Sequence, residues 1–428
     1  MQMVPSSASL VECAETIRAI HADTIATRTM DDTAPSRRER VDPVVIGVGS
    51  TSFGPEGTGS FRTMLADAVD AALTDAGINA SAIDEVHHAN FAGAITDTQN
   101  HQAPLVADLT GVTVPTVRHE NACASGGFAM WSAVRAIHSG AADVVLVTGI
   151  EHLSPLSTNE VTTAFAMAAD ELYEIRNGLT FPGAYALMAR SYISEHAPDE
   201  YREALSAIAV KNHDNASVNP LAHFQSPIDL QTATQAPMVA DPLNLYDSCP
   251  ISDGAAAVVL AAPSSVPSDD GVRIRGVGAA SDHLALQTRE SIHATAATAA
   301  AADQAFEDAG LTRDDVDILE VHDCFTIAEV LALEALGFYA PGEALGAALR
   351  EETTSSGWLP TNLSGGLKAK GHPVGATGVS QVAELTKLLR GEHPMAASLE
   401  SPRVGLAHNA GGTVATAVVH LLEVLDDD

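Results

Sequence analysis

Four short runs place reactive side chains where an α/β protein could use them. Asn121-Ala122-Cys123-Ala124-Ser125-Gly126-Gly127-Phe128-Ala129-Met130 follows the strand-like Val114 to Val117 and opens a helix expected to reach about Ile137. That puts Cys123 at a helix N-terminus, where unpaired N–H groups and the positive end of the macrodipole favour thiolate over thiol. Taken alone, such a residue is more often a buried structural cysteine. Asn362-Leu363-Ser364-Gly365-Gly366 and Gly371-His372-Pro373-Val374-Gly375-Ala376-Thr377-Gly378 precede an amphipathic helix, Val379 to Leu389. A histidine in so glycine-rich a loop fits a group held within reach of a ligand, and a Cys–His pair makes a nucleophile with its activating base. Glu320-Val321-His322-Asp323-Cys324-Phe325-Thr326 ends a strand, the edge at which α/β proteins build sites, although His322 and Asp323 are equally compatible with a bond that only shapes the turn. His408-Asn409-Ala410-Gly411-Gly412-Thr413 precedes a hydrophobic strand (Val414 to Leu422); its glycines could expose amides as an oxyanion hole or simply make a turn.

These runs must be positioned by an internally repeated framework. Ala71-Ala72-Leu73-Thr74-Asp75-Ala76-Gly77-Ile78 is echoed by Ala305-Phe306-Glu307-Asp308-Ala309-Gly310-Leu311 at an offset of 233 positions, and the register carries Ile83 onto Val316, Asp84 onto Asp317 and Val86 onto Leu319. Val44 to Gly49 has a looser counterpart in Val272 to Gly278. So long an offset indicates a duplicated half-protein of alternating strands and helices, not a solenoid. Cys123 and His372 occupy comparable loops of the two halves, so a pseudo-twofold relation brings the two helix starts together. We expect a mobile N-terminal extension over 1–42, a first half over 43–265 and a second over 266–428. Residues 151–240, richer in Pro, Asn and His, read as an inserted loop subdomain covering the substrate.

Composition narrows the function. The 428-residue chain has 22 basic and 55 acidic side chains, a net charge of −33 and 46% hydrophobic residues. It offers no basic patch for nucleic acid or an anionic membrane, and its longest apolar run, Gly254 to Ala262, is less than half a bilayer span. Lys211, Lys368, Lys370 and Lys387 are the only lysines, and so acidic a surface suggests adaptation to high salt. Cys13, Cys123, Cys249 and Cys324 are too few and scattered for a disulfide framework or a zinc site. Without a signal-peptide pattern at the N-terminus, a cytoplasmic protein is expected.

In this order and with this duplication, the four runs resemble the thiolase superfamily, specifically the archaeal and sterol-carrier-protein-like thiolases, over nearly all of residues 43–424. The resemblance includes Phe181-Pro182-Gly183-Ala184-Tyr185-Ala186-Leu187-Met188-Ala189-Arg190, Val210-Lys211-Asn212-His213, and Tyr246 to Ala257 with its Ser252-Asp253-Gly254. The Gly-His-Pro-x-Gly-Ala-Thr-Gly and His-Asp-Cys-Phe motifs together are specific, although either alone is not.

The resemblance implies the thiolase fold: two duplicated βαβαβ-type halves in a five-layer αβαβα arrangement with an inserted loop subdomain. It implies acyl transfer between coenzyme A thioesters, with Cys123 as acyl acceptor, His372 as its base, and the amides of Cys123 and Gly411 stabilising the tetrahedral intermediate. His322, or a water it holds, would bind the thioester oxygen with His372. Many thiolases supply a second acid/base from a Cys-x-Gly motif near the C-terminus, where this chain has Asn409. Asparagine exchanges no proton at neutral pH, so the second acid/base falls to Cys324, leaving Cys13 and Cys249 structural or incidental. No metal or resident cofactor is implied, coenzyme A being substrate and product. Lys211, Lys368 and Lys370 are the candidates for a positive rim that would meet its phosphates. A homodimer or homotetramer is implied, together with an OB-fold, zinc-ribbon partner and a 3-hydroxy-3-methylglutaryl-CoA synthase. The alternatives are a ketoacyl or 3-hydroxy-3-methylglutaryl-CoA synthase relative, or a non-catalytic lipid carrier or scaffold; the two motifs argue against the first, and the presence of Cys123 and His372 against the second.

Overall fold

A computed structural model describes residues 41–55, 59–196, 200–266 and 271–424; residues 1–40 of the expected N-terminal extension, Cys13 among them, lie outside these. The first half contributes strand β1 (Val44–Ser50), helix α1 (Phe61–Ala76), β2 (Glu85–Ala89), β3 (Thr116–His119), α2 (Ser125–Ser139), β4 (Val144–Glu151), α3 (Thr158–Ala166), α4 (Phe181–His196), α5 (Tyr201–Ser217) and β5 (Gly254–Ala261). The second contributes β6 (Val272–Ser281), α6 (Ala296–Ala309), β7 (Ile318–Glu320), α7 (Thr326–Ala335), α8 (Thr377–Leu389), β8 (Val404–Gly411) and β9 (Thr416–Val424).

The strands lie in the order β3-β2-β4-β5-β1-β6-β9-β8-β7, and Thr361 bridges to Leu319 in β7. Counting that bridge as a vestige of β3, the two half-sheets have the same strand order. Among the described residues their strands pair through Val44 opposite Arg273 and Val45 opposite Val272. Helices α2 and α8 touch each other and strands of both half-sheets, whereas α1 packs on β1, β4 and β5, and α6 on β6 and β9. This is the αβαβα layering expected. The run Gly254 to Ala262 that is too short for a bilayer supplies β5, buried along its whole length in the middle of the first half-sheet, as strands covered on both faces require. No described helix is long and apolar enough to cross a membrane.

The duplication extends to individual hydrogen bonds. Asp75 accepts from the Val48 amide at 2.8 Å and Asp308 from the Val277 amide at 3.0 Å. Asp84 accepts from the amides of Asp143 and Val144, and Asp317 from those of Arg403 and Val404. Glycine is required where each outer helix lies directly on its strand: a Cβ at Gly49 would stand 2.2 Å from the Ala68 carbonyl oxygen, and one at Gly278 1.9 Å from that of Ala301. The insertion is more regular than its composition suggested. Its loop-forming residues only punctuate α3, α4 and α5, whose apolar faces pay the ordering entropy through burial.

Candidate active site

Cys123 sits in a tight turn between β3 and α2, preceded by Ala122 at φ +49°, a conformation that a non-glycine residue adopts only when its surroundings impose it. Ser125 imposes it, donating through Oγ to the Ala122 carbonyl at 2.6 Å and accepting from the Asn121 amide at 2.8 Å. The N-terminal ends of α2 and α8 abut through glycines, since a Cβ on Gly126 would lie 2.8 Å from the Gly378 nitrogen. The pseudo-twofold therefore delivers the Cys123 turn and the His372 loop to one place. Cys123, His322 and His372 converge with their reactive atoms within 4.8 Å of one another, and the two imidazoles meet edge to face at 5.0 Å.

The hydrogen bonds fix both imidazole tautomers. Asn409 donates through Nδ2 to the Cys123 carbonyl at 3.0 Å and accepts through Oδ1 from the Gly127 amide at 3.0 Å. A carbonyl can only accept and an amide N–H only donate, so the Asn409 side chain has one allowed orientation. Its second Nδ2 proton points at His322 Nδ1, 3.1 Å away. That nitrogen must accept, so His322 carries its proton on Nε2, an atom with no partner among the described residues. Thr377 Oγ1 donates to the Pro373 carbonyl at 3.0 Å and lies 2.7 Å from His372 Nδ1. The hydroxyl proton is thereby committed, so His372 donates from Nδ1 and keeps an Nε2 lone pair. One histidine is set as a donor and the other as a base.

Burial controls the charges. It pushes the Cys123 thiol up to about 12 despite a counteracting hydrogen bond from the Gly412 amide, with Glu151 and Glu120 adding to the rise. The thiolate expected from the helix N-terminus is therefore not the resting form. A helix dipole supplies at most about 2 kcal/mol, whereas a rise from 9.0 to about 12 represents about 4 kcal/mol. Burial also brings His372 down to about 3 and lowers His322, so both rings are neutral. The amide facing the sulfur is that of Gly412, which lines the cavity, whereas Gly411 is paired with Thr416 in the sheet.

Cys123, His372 and Cys324 open into a cavity of about 220 Å³, walled largely by apolar side chains that include Phe91, Val161 and Phe165. Helix α3 of the insertion supplies one side. Cys324 is buried; desolvation, with Cys249 and Cys123 adding, raises its thiol well above the usual range, and a hydrogen bond from Tyr185 opposes this. Cys249, read as structural or incidental, lines the same cavity. Asp323 ties distant segments together, accepting from Asn212 Nδ2 at 2.7 Å and from the amides of Leu367 and Lys368.

The lysines do not form a surface rim. Lys211 is buried against Glu329, and Lys370 is buried with Glu384 at 2.6 Å beneath the Phe53 ring. Lys368 is buried on the wall of a neighbouring cavity. Sequence reasoning also passed over Glu151, which ends β4 and accepts from the amides of Phe91, Ala92 and Gly375, tying the His372 loop to the first half. A carboxylate at the C-terminal end of an otherwise apolar strand was its only signal.

Residues 43–264 match the thiolase N-terminal domain family and residues 278–424 the thiolase C-terminal domain-like family. An acetyl-CoA acetyltransferase of Methanothermobacter thermautotrophicus is 42% identical over 89% of this chain and 99% of its own length, and one of Methanocaldococcus jannaschii is 38% identical over 89% and 98%. Among solved structures, the Ltp2-ChsH2(DUF35) aldolase superposes with a TM-score of 0.77 at 24% identity, covering 90% of this chain and 98% of that one. An acetyl-CoA acetyltransferase from Syntrophomonas wolfei gives 0.69 at 22% identity over 90% and 99%. With both halves matched in register and close relatives spanning nearly their full length, this chain belongs to the thiolase family.

Proposed function

We propose that the protein catalyses reversible acyl transfer between coenzyme A thioesters through an acyl-Cys123 intermediate, joining two acetyl-CoA into acetoacetyl-CoA and coenzyme A. The observation that carries this reading is the pair of tautomers at Cys123: a base in His372 Nε2 and a donor in His322 Nε2–H, with the reactive atoms of the three residues within 4.8 Å of one another. The acetyl-CoA acetyltransferases similar to this chain support the substrate.

His372 takes the Cys123 proton as the sulfur, held by the Gly412 amide, attacks the thioester, and His322 Nε2–H with the amides of Cys123 and Gly411 stabilises developing negative charge on oxygen. Cys324 gives its proton to the departing coenzyme A thiolate. The Cys324 thiolate then removes an α-proton from a second acetyl-CoA, and the carbanion attacks acyl-Cys123. The carbon–sulfur bond breaks, and His372 returns its proton to the Cys123 sulfur. Protons and electrons balance over the cycle, and the unusually basic Cys324 sulfur suits removal of a weakly acidic α-proton.

Such enzymes resemble one another in forming homodimers or homotetramers, and we propose the same here together with an OB-fold partner; that a similar solved structure is an aldolase named with a DUF35 component supports a second protein. The test is exchange of label from labelled coenzyme A into unlabelled acetyl-CoA, at high salt. The wild type should exchange and Cys123→Ala should not. Exchange by Cys123→Ala overturns the acyl-cysteine route.

A further inference from the structure

A second cavity, of about 510 Å³, adjoins the catalytic one, and Ser248 and Cys249 line both. Lys368 forms part of its wall, with His213, Phe224 and Tyr246. The lysine's backbone amide donates to Asp323, and the residue is 1% exposed. Unlike Lys211 and Lys370, Lys368 has no carboxylate within ion-pair distance among the described residues. Its one hydrogen-bond partner there is His213 Nε2 at 3.4 Å, and the ammonium otherwise stands over the rings of Phe224 and Tyr246 at 5.6 and 5.7 Å. The neighbouring carboxylates are occupied: Asp247 holds Arg202 and the Thr326 hydroxyl, and Asp323 holds Asn212 and two backbone amides. A buried ammonium with so few acceptors is unfavourable unless a ligand brings more.

This inference rests on the acyl-transfer reading. A thioester held at Cys123 has an acyl side and a thiol side. The α3 side of the catalytic cavity presents the apolar Val161 and Phe165 and suits the acyl group. The second cavity, with donors and ring faces, suits a chain bearing amides. Phosphate is excluded by depth, because a hydrated dianion would lose its water for a single cation at a buried position.

We propose that Lys368 is a binding residue for the thiol-side arm of the substrate, its ammonium donating to amide carbonyls of the pantetheine chain as that chain passes through the second cavity. The lysine that the sequence offered to the phosphates thus serves the neutral part of the same molecule.

Burial lowers Lys368 to about 8. Of the titratable groups around it, His213 is held down to about 4, His223 is lowered and Cys249 is pushed up to about 12, while Asp323 is raised to about 8, and Tyr246 and Asp247 complete the set. Because Asp323 titrates in the same range, the pH effect of Lys368 is the difference between wild type and a variant that lacks the amine.

The experiment titrates wild type, Lys368→Met and Lys368→Arg with a non-reactive coenzyme A thioether by calorimetry. It also measures, with coenzyme A saturating as the attacking thiol, thiolysis of the acetoacetyl thioesters of coenzyme A and of ethanethiol, the second having no amide. Lys368→Met should weaken thioether binding and raise KM for the coenzyme A substrate about tenfold or more, as expected for a lost charged hydrogen bond. It should leave kcat and the ethyl thioester kinetics unchanged, with Lys368→Arg recovering part of the affinity. Wild-type affinity should fall as pH rises through about 8, more steeply than that of Lys368→Met. Equal losses on both thioesters, or unchanged thioether affinity, overturns the assignment. If Lys368→Met does not fold, pH-independent wild-type affinity between pH 7 and 9.5 overturns it. Binding and turnover by the wild type with no effect of Lys368 refute this inference alone; a wild type that neither binds the thioether nor turns over refutes the acyl-transfer reading as well.

Discussion

Asn409→Asp changes one atom's chemistry and should disable the site through a histidine it does not replace. The Asn409 amide donates to the Cys123 carbonyl and to His322 Nδ1 and accepts from Gly127. An aspartate there can only accept, so His322 Nδ1 must become the donor and its proton leaves Nε2. The thioester oxygen then faces a lone pair instead of an N–H. Loss of one such preorganised donor costs about 10²–10³ in kcat, or roughly 3–4 kcal/mol. The carboxylate also faces the Cys123 carbonyl with no proton between them, which should cost about 1–3 kcal/mol of stability. The assay is kcat for acetoacetyl-CoA thiolysis, with nitrogen NMR of labelled histidine reporting the His322 tautomer and urea unfolding reporting stability. Because the defect lies in orientation and proton location, KM should move far less than kcat. The tautomer reasoning fails if kcat falls less than about tenfold while His322 keeps its proton on Nε2.

Three further outcomes follow, two from the buried charges and one from the net charge. Lys211→Met leaves Glu329 as an unpaired buried carboxylate and should lower unfolding free energy by about 3–5 kcal/mol, measured in urea, with kcat per folded molecule unchanged. His87, His88, His119, His213, His372, His408 and His420 are all held at about 3–4 by burial, so the unfolded chain binds more protons below pH 6.5 and stability should rise as pH climbs from 4 to 6.5. Glu151 and Glu320, raised to about 7, and Asp323, raised to about 8, act oppositely: the folded state holds their protons longer, so stability should fall from pH 6.5 toward 8. A denaturation midpoint that keeps rising to pH 9 contradicts this sign. Finally, a net charge of −33 should make the thermal midpoint rise between 0.2 and 2 M KCl, and an unchanged midpoint would count against salt adaptation.

Much of the architecture is legible in local patterns because those patterns are enforced locally. The 233-residue echo is visible since each outer helix must lie on a glycine-bearing strand and each Asp must cap backbone amides, and such constraints preserve residue types in both copies. Cys123, His322, Cys324 and His372 stand out for a similar reason: tight glycine-rich turns and strand ends advertise themselves in the chain. The insertion does not, because its helices are stabilised by burying α4 and α5 against the second half, a long-range effect that composition does not record.

What the sequence alone determined, then, is the duplicated α/β framework and which candidate side chains stand at its turns and strand ends. Only the tertiary structure decided their ionisation and their partners. Cys123 is a thiol, not a thiolate, since desolvation by residues distant in the chain outweighs the local helix dipole. Gly412 and not Gly411 faces the sulfur, a distinction of one residue set by the strand register. The three candidate lysines look alike in sequence, yet two are locked into buried ion pairs and the third faces a cavity. The reason is general: covalent order specifies which groups exist, whereas dielectric environment and hydrogen-bond direction belong to the whole fold.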